Sequence, residues 1–163
     1  MKIEKLGHGH DVSGFDCGSE ALNHFLKRFA LAGQLANASQ TYVATDNDEV
    51  IGFYTLVVGE VQHGAAPDRL KKGLPRHPVP VMVLARLAIA AGRQGQGLGQ
   101  WLLKDVIIRT LQAADIAGIR ALVVHAKDEA AKSYYLRFRF TEGFDNPLHL
   151  FILIKDLKGL VTK

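Results

Sequence analysis

Arg93-Gln94-Gly95-Gln96-Gly97-Leu98-Gly99 joins an apolar run, Val79 to Ala91, to a helix-patterned segment that opens at Leu98. Glycines at alternate positions let the backbone turn without a Cβ penalty. Successive N–H groups can then point into one concavity at a helix N-terminus, where the helix dipole favours an anion. The ligand this junction predicts is a pyrophosphate. Three glycines alone also suit a plain strand-to-helix turn, so the spacing has to decide. A dinucleotide-binding loop reads G-x-G-x-x-G with an acid about 20 residues on, and a P-loop needs G-K-S or G-K-T; neither is present.

Composition sets the frame around this loop. The 163 residues fit one domain with a core large enough to need no disulfide or metal. Hydrophobic residues make up 48% and charged residues 22%, the usual balance of a water-facing globular domain. Apolar stretches are strand-length and broken by charges, and Met1-Lys2-Ile3-Glu4 opens no signal sequence, so a cytoplasmic protein with no membrane association is expected. Cys17 is the only cysteine and suits packing or capping better than nucleophilic chemistry. The histidines show no ligand spacing, and no metal is expected.

The net charge of +4 is unevenly placed. Acids and bases nearly balance before residue 80, and the basic excess follows it. Arg69, Lys71, Lys72 and Arg76 also open a stretch without a carboxylate that runs through Arg86. Such a run is either a solvated loop or a surface for the phosphates of a cofactor or nucleic acid.

The order of elements reads as a mixed α/β domain. Ile3 to Leu6 suits a first strand. Ser19 can cap a helix whose face is Leu22, Phe25, Leu26, Phe29 and Ala30, with Gly33 interrupting or ending it. Gln40 to Thr45 and Glu49 to Val58, separated by Asp46-Asn47-Asp48, suit a hairpin. Residues 59 to 80, rich in glycine and proline, read as a long connection. After the strand through Met82, Leu84, Leu87 and Ile89 comes a helix with Leu98, Leu102, Val106 and Leu111 on one face, ending near Gly118. A buried strand follows at Arg120 to Ala126, then a helix from Lys127-Asp128-Glu129 bearing Tyr134 and Tyr135. Two further strands are expected, around Arg139 to Phe144 and His149 to Ile154. Late strand–helix alternation after an antiparallel start argues a mixed sheet with helices on both faces. No repeat or second-domain boundary is visible, so residues 1–163 are expected to form one domain.

Gln94-x-x-Gly97-x-Gly99, preceded by Arg93, resembles the acyl-CoA pyrophosphate loop of the GNAT family of N-acetyltransferases. Ala130-Ala131-Lys132-Ser133-Tyr134-Tyr135-Leu136-Arg137-Phe138-Arg139-Phe140 resembles a second family signature, A-x-x-F-Y-x-x-x-G-F. The resemblance implies a mostly antiparallel mixed sheet of six to seven strands flanked by about four helices, with a splayed strand pair holding acetyl-CoA. It implies cofactor contacts from Leu87, Ala88, Ile89, Arg93, Gln94, Gly95, Gln96, Gly97, Leu98, Gly99, Gln100, Lys132 and Tyr135. Tyr135 falls on the tyrosine that gives a proton to the departing thiolate, the one catalytic role carried over. Arg139 stands where the family has glycine. A left-handed residue there costs an arginine on the order of 1 kcal/mol, so either the turn differs or the strain is carried.

A finer resemblance joins Gly14-Phe15-Asp16-Cys17-Gly18, Leu22-Asn23-x-Phe25-Leu26, Leu84-Ala85-Arg86-Leu87-Ala88 and Asp115-x-x-Gly118-Ile119-Arg120. Together these resemble the GNAT toxins of toxin–antitoxin pairs. That subgroup acetylates the amino group of aminoacyl-tRNA, blocks translation, and is held inactive by a ribbon-helix-helix antitoxin, with or without DNA; a homodimer is implied. The chemistry agrees with such a substrate: at pH 7 roughly a sixth of α-amines of pKa about 7.7 are neutral, against fewer than about one lysine in a thousand. The candidates for holding the tRNA are Arg69, Lys71, Lys72, Arg76, Arg86, Arg137 and Arg139. The alternatives are a GNAT enzyme acting on a small amine or a protein amino group, and a CoA- or nucleic-acid-binding module without turnover.

Overall fold

The computed structural model describes residues 1–161. The strands are β1 (Lys2–Lys5), β2 (Gln40–Asp46), β3 (Glu49–Val61), β4 (Val79–Ile89), β5 (Ala121–His125) and β6 (His149–Leu153). The helices are α1 (Glu20–Arg28), α2 (Ala30–Leu35), α3 (Asp68–Lys71), α4 (Leu98–Ile116), α5 (Glu129–Leu136) and α6 (Ile154–Val161). The six strands form one sheet in sequence order. β1–β2, β2–β3 and β5–β6 pair antiparallel, and β4–β5 is parallel because α4 carries the chain back between them. Six strands agree with the expected six to seven; the helices number six among the described residues, where about four were expected. None is long and apolar enough to cross a membrane.

The chain packs as two compact units, and β3, β4 and α4 each run from one into the other. The first comprises residues 1–57 and 85–106. Its core is Leu6, Phe15, Leu26, Val43, Val50, Phe53 and Ala88, with Phe15 edge-on to Phe53 at 5.6 Å. Ser19 caps α1 by accepting from the Leu22 N–H at 3.4 Å. The helix stops at Phe29 rather than at Gly33, which lies inside α2. Gly33 is there for closeness, since a Cβ would meet the Ser39 hydroxyl at 2.8 Å. The β2–β3 hairpin turns through Asn47 and Asp48, both at positive φ (50° and 65°), as a two-residue turn of this hand requires. Gly52 on β3 lets the end of β4 approach, because a Cβ would stand 2.9 Å from Ile89 Cδ1 and 3.0 Å from the Ala88 carbonyl.

The second unit comprises residues 58–84 and the chain from residue 107 onward. Leu70, Val79, Val81, Ala121, Val123, Phe151 and Leu153 form its core. The connection expected over residues 59 to 80 is shorter than the sequence suggests: β3 extends to Val61 and α3 forms around the fully buried Leu70. The strand expected from Arg139 to Phe144 reduces to a single bridge, Thr141 to Phe151. Positive φ at Arg139 (70°) and Gly143 (147°) bends the chain on either side of that bridge. Helix α6 follows β6 without a turn and was not legible in advance.

Candidate active site

In the first unit, β4 delivers the buried Ala88 and Ile89 to a short 3-10 turn, Ala91–Arg93, and α4 starts at Leu98. Gly95 and Gly97 take left-handed backbone angles, φ 79° and 81°, with no atom within 4 Å of where a Cβ would stand. Glycine is needed there for conformation and not for space. Residues 94 to 97 are exposed and the first turn of α4 carries no acid. Its unpaired N–H groups and dipole therefore meet no negative side chain of their own turn.

Two side chains hold this loop in shape. Gln94 donates through Nε2 to the carbonyls of Ile89 at 3.0 Å and Cys17 at 3.1 Å. Arg93 Nη2 donates to Asp46 at 2.9 Å, both side chains being about one-third exposed or less. Neither Cys17 nor Asp46 carries a sequence signal for this duty. Arg86 on β4 stacks its guanidinium over the Phe25 ring, 3.6 Å from the centroid, and partial burial lowers its pKa.

In the second unit, Asp128 caps α5 by accepting from the Ala131 N–H at 2.8 Å. Tyr135 is 7% exposed, with Tyr134 and Phe140 edge-on at 5.5 and 5.6 Å. Burial, and then Tyr134, push its phenol above the usual range, so it stays protonated. Its neighbour Tyr134 has a buried hydroxyl without a hydrogen-bond partner among the described residues. Lys132 Nζ lies 2.5 Å from Glu142. Arg137 covers the Tyr134 ring at 5.4 Å.

The basic residues separate. Arg69, Lys71 and Lys72 line an open recess of the second unit together with Asp68, Arg120 and Lys155; neither of the last two cations was among those expected to hold tRNA. Arg139 lines an adjoining recess with Arg69, Lys155 and Asp156. Arg69 donates to Asp156 at 2.6 Å, and Arg120 holds the recess floor by donating to the carbonyls of Leu70 at 2.9 Å and Lys72 at 3.1 Å. Arg76 is exposed and lines neither recess. No cluster of possible metal ligands occurs among the described residues.

The family model for the acetyltransferase (GNAT) domain matches residues 37–142. A tRNA-acetylating toxin of Mycobacterium tuberculosis (strain ATCC 25618 / H37Rv) is 40% identical over 157 residues, spanning 96% of this chain and 94% of its own. Among solved structures, AtaT complexed with acetyl-methionyl-tRNAfMet superposes with a TM-score of 0.89 at 31% identity, covering 99% of each chain. A tyrosine-to-phenylalanine mutant of the AtaT toxin, bound to the C-terminus of the antitoxin AtaR and acetyl-CoA, gives a TM-score of 0.86 at 29% identity over 99% of this chain and 98% of its own.

Proposed function

This chain belongs to the GNAT acetyltransferase family, and from that premise we propose that it is a toxin that transfers acetyl from acetyl-CoA to the α-amino group of aminoacyl-tRNA and so blocks translation. The observation that carries the enzymatic part is the exposed glycine loop, clamped by Gln94 and opening onto a helix start free of acids. The 40% identity to a tRNA-acetylating toxin along nearly the whole chain supports the choice of substrate.

The donor set suits a pyrophosphate: backbone N–H groups, which carry no charge to neutralise, aligned with a helix dipole. In this reading the N–H groups from Gln94 to Gln100 hold the diphosphate, with Gly95, Gln96, Gly97, Leu98 and Gly99 forming its cradle. Arg93 adds positive potential beside the loop and is balanced by Asp46; Lys132, which the family resemblance assigns to the cofactor, is balanced by Glu142. Acetyl-CoA supplies the thioester. Backbone donors between Leu87 and Ile89 stabilise negative charge on its carbonyl oxygen as the amine attacks.

Tyr135 gives the leaving sulfur its proton as the C–S bond breaks, and the proton that the nitrogen loses on becoming an amide restores the phenol by way of water. With ordinary pKa values near 10 for a phenol and 8.5 for a thiol the transfer is uphill by roughly 2 kcal/mol. Burial raises the phenol further, and the same apolar surroundings raise a thiol released beside it, so the gap is set by the site and not by water values. A neutral α-amine needs no strong base, which fits a set of assigned residues that includes none.

The polyanion is held by Arg69, Lys71, Lys72, Arg76, Arg86, Arg137 and Arg139, to which Arg120 and Lys155 are added from the shared recess. The whole chain, residues 1–163, acts as one acetyltransferase domain, a cytoplasmic homodimer neutralised by a ribbon-helix-helix antitoxin that also brings it to DNA. Labelled acetyl-CoA incubated with the protein and either charged tRNA, free amines or protein amines tests the assignment. Label in an ester-linked N-acetylaminoacyl group is expected; label only in free or protein amines overturns it.

A further inference from the structure

Four described residues other than glycine have positive φ: Asn37 (57°), Asn47 (50°), Asp48 (65°) and Arg139 (70°). Asn and Asp enter this region readily because their short polar side chains bond locally; arginine has no such compensation. Arg139 lies in the turn just past α5, two residues beyond the C-cap Arg137, its N–H bonded to the Leu136 carbonyl at 3.3 Å, a bond that any non-proline residue could make. A left-handed residue in the turn that ends a helix is ordinarily glycine or asparagine.

The Arg139 side chain does nothing inside the fold that offsets the strain. It is exposed, and it has no ion pair, hydrogen bond or ring contact among the described residues. What it does have is a place. It lines a recess with Arg69 and Lys155, and those two also line the neighbouring recess, where Lys71, Lys72 and Arg120 outnumber one carboxylate, Asp68. The only carboxylate lining the Arg139 recess, Asp156, is taken up by Arg69 at 2.6 Å. Residues held in unfavourable backbone regions persist where function requires them.

We propose that Arg139 is a binding residue for the RNA phosphate backbone, kept in a strained left-handed conformation because that conformation sets its guanidinium in the recess shared with Arg69 and Lys155. The planar fork of donors suits a phosphodiester. This rests on the aminoacyl-tRNA reading and adds to it one specific contact with an energetic signature. Removing the side chain should weaken RNA binding while relieving the backbone, whereas removing a merely structural arginine should do the reverse.

The test uses the full chain, fluorescently labelled deacylated tRNA, and a salt titration of its dissociation constant. Arg139→Asn, which removes the charge and accepts the left-handed angle, should lower the slope of log affinity against log salt by about 0.7 to 0.9 and weaken binding about sixfold near 0.1 M salt. Its Tm should stay level or rise by about 2 to 4 °C. Arg139→Lys, which keeps the charge, should restore the slope. Acetyl-CoA binding should be the same in all three proteins. Wild-type slope and affinity in Arg139→Asn overturn the inference, and so does a fall in its Tm with the slope unchanged. If the wild-type protein does not bind tRNA at all, the substrate reading fails with it, and that is visible in the wild-type arm alone.

Discussion

The side-chain amide of Gln94 donates to the carbonyl of Ile89 at 3.0 Å, so the start of the glycine loop is fastened to the last residue of β4. The same nitrogen reaches the Cys17 carbonyl at 3.1 Å, which fixes the loop from a second side. Each bond is worth about 1 kcal/mol net, less where water competes. Their larger effect is to aim the N–H groups that follow. Gln94→Ala should raise KM for acetyl-CoA about tenfold, the 1.4 kcal/mol equivalent of those bonds, with kcat within about threefold. Gln94→Glu keeps the shape but can only accept, and should be no better than alanine. Steady-state kinetics with calorimetric binding of acetyl-CoA would decide; unchanged binding in Gln94→Ala would remove this residue from the site.

Gly97 and Gly52 are glycines for different reasons, and substitution should separate them. At Gly97, with φ 81° and open space where a Cβ would stand, the cost is conformational, about 1 to 2 kcal/mol for an L-residue. Acetyl-CoA KM should therefore rise in the order Gly97→Asn, Gly97→Ala, Gly97→Val, since asparagine tolerates the left-handed region and β-branched residues do not. At Gly52 a Cβ would press on Ile89 Cδ1 at 2.9 Å and the Ala88 carbonyl at 3.0 Å. Gly52→Ala should thus cost about 1 to 3 kcal/mol of stability by overpacking, read as a lower Tm.

Tyr135→Phe should lower kcat by about 100-fold or more while KM for acetyl-CoA stays within about threefold, because the ring keeps its packing and only the proton is lost. Burial gives a second readout. The folded-state pKa lies above the unfolded value of about 10, so the stabilisation from keeping the phenol neutral is full below pH 10 and fades as pH rises beyond it. Thermal melts from pH 9 to 11 should show a smaller alkaline loss in Tyr135→Phe than in the wild type. Activity should show no descending limb from this group below pH 10.

Features set by neighbouring residues were legible in the sequence, and features set by distant ones were not. The β4–loop–α4 junction and the Asn47-Asp48 turn announce themselves because their glycines, or short polar residues, sit where the backbone turns left-handed. The partners that fix the loop, Cys17 and Asp46, lie 77 and 47 residues from the side chains that bind them, beyond any spacing rule. Arg86 and Arg69 read alike as cations, yet one is spread over the Phe25 ring and the other pairs with Asp156 in an open recess. Arg120 reads in the sequence only as part of a family motif and not as a cation of the recess, because its duty is to the carbonyls of Leu70 and Lys72, 50 and 48 residues earlier. Helix α6 joins β6 with no glycine, proline or asparagine to punctuate the change, so its apolar start read as more strand.

His125 and His149 face each other across the β5–β6 register with ring centroids 3.8 Å apart and planes within 17° of parallel. Phe144 meets His149 edge-on at 6.3 Å. The protein packed around the His125 ring, and then the like charge of His149, hold His125 below its usual pKa of 6.5. A base whose folded-state pKa is depressed favours the unfolded chain once protons are available. Its contribution is therefore present above about pH 6.5 and is lost as pH falls through the folded-state value. Two stacked imidazolium rings would repel, whereas a phenyl ring keeps the stack and the contact with Phe144. His149→Phe should accordingly lose less Tm between pH 6.5 and 5 than the wild type, and the His125 titration followed by NMR should move up toward 6.5. An identical acid dependence in both proteins would mean that burial alone sets His125 and that the second ring has no electrostatic part in it.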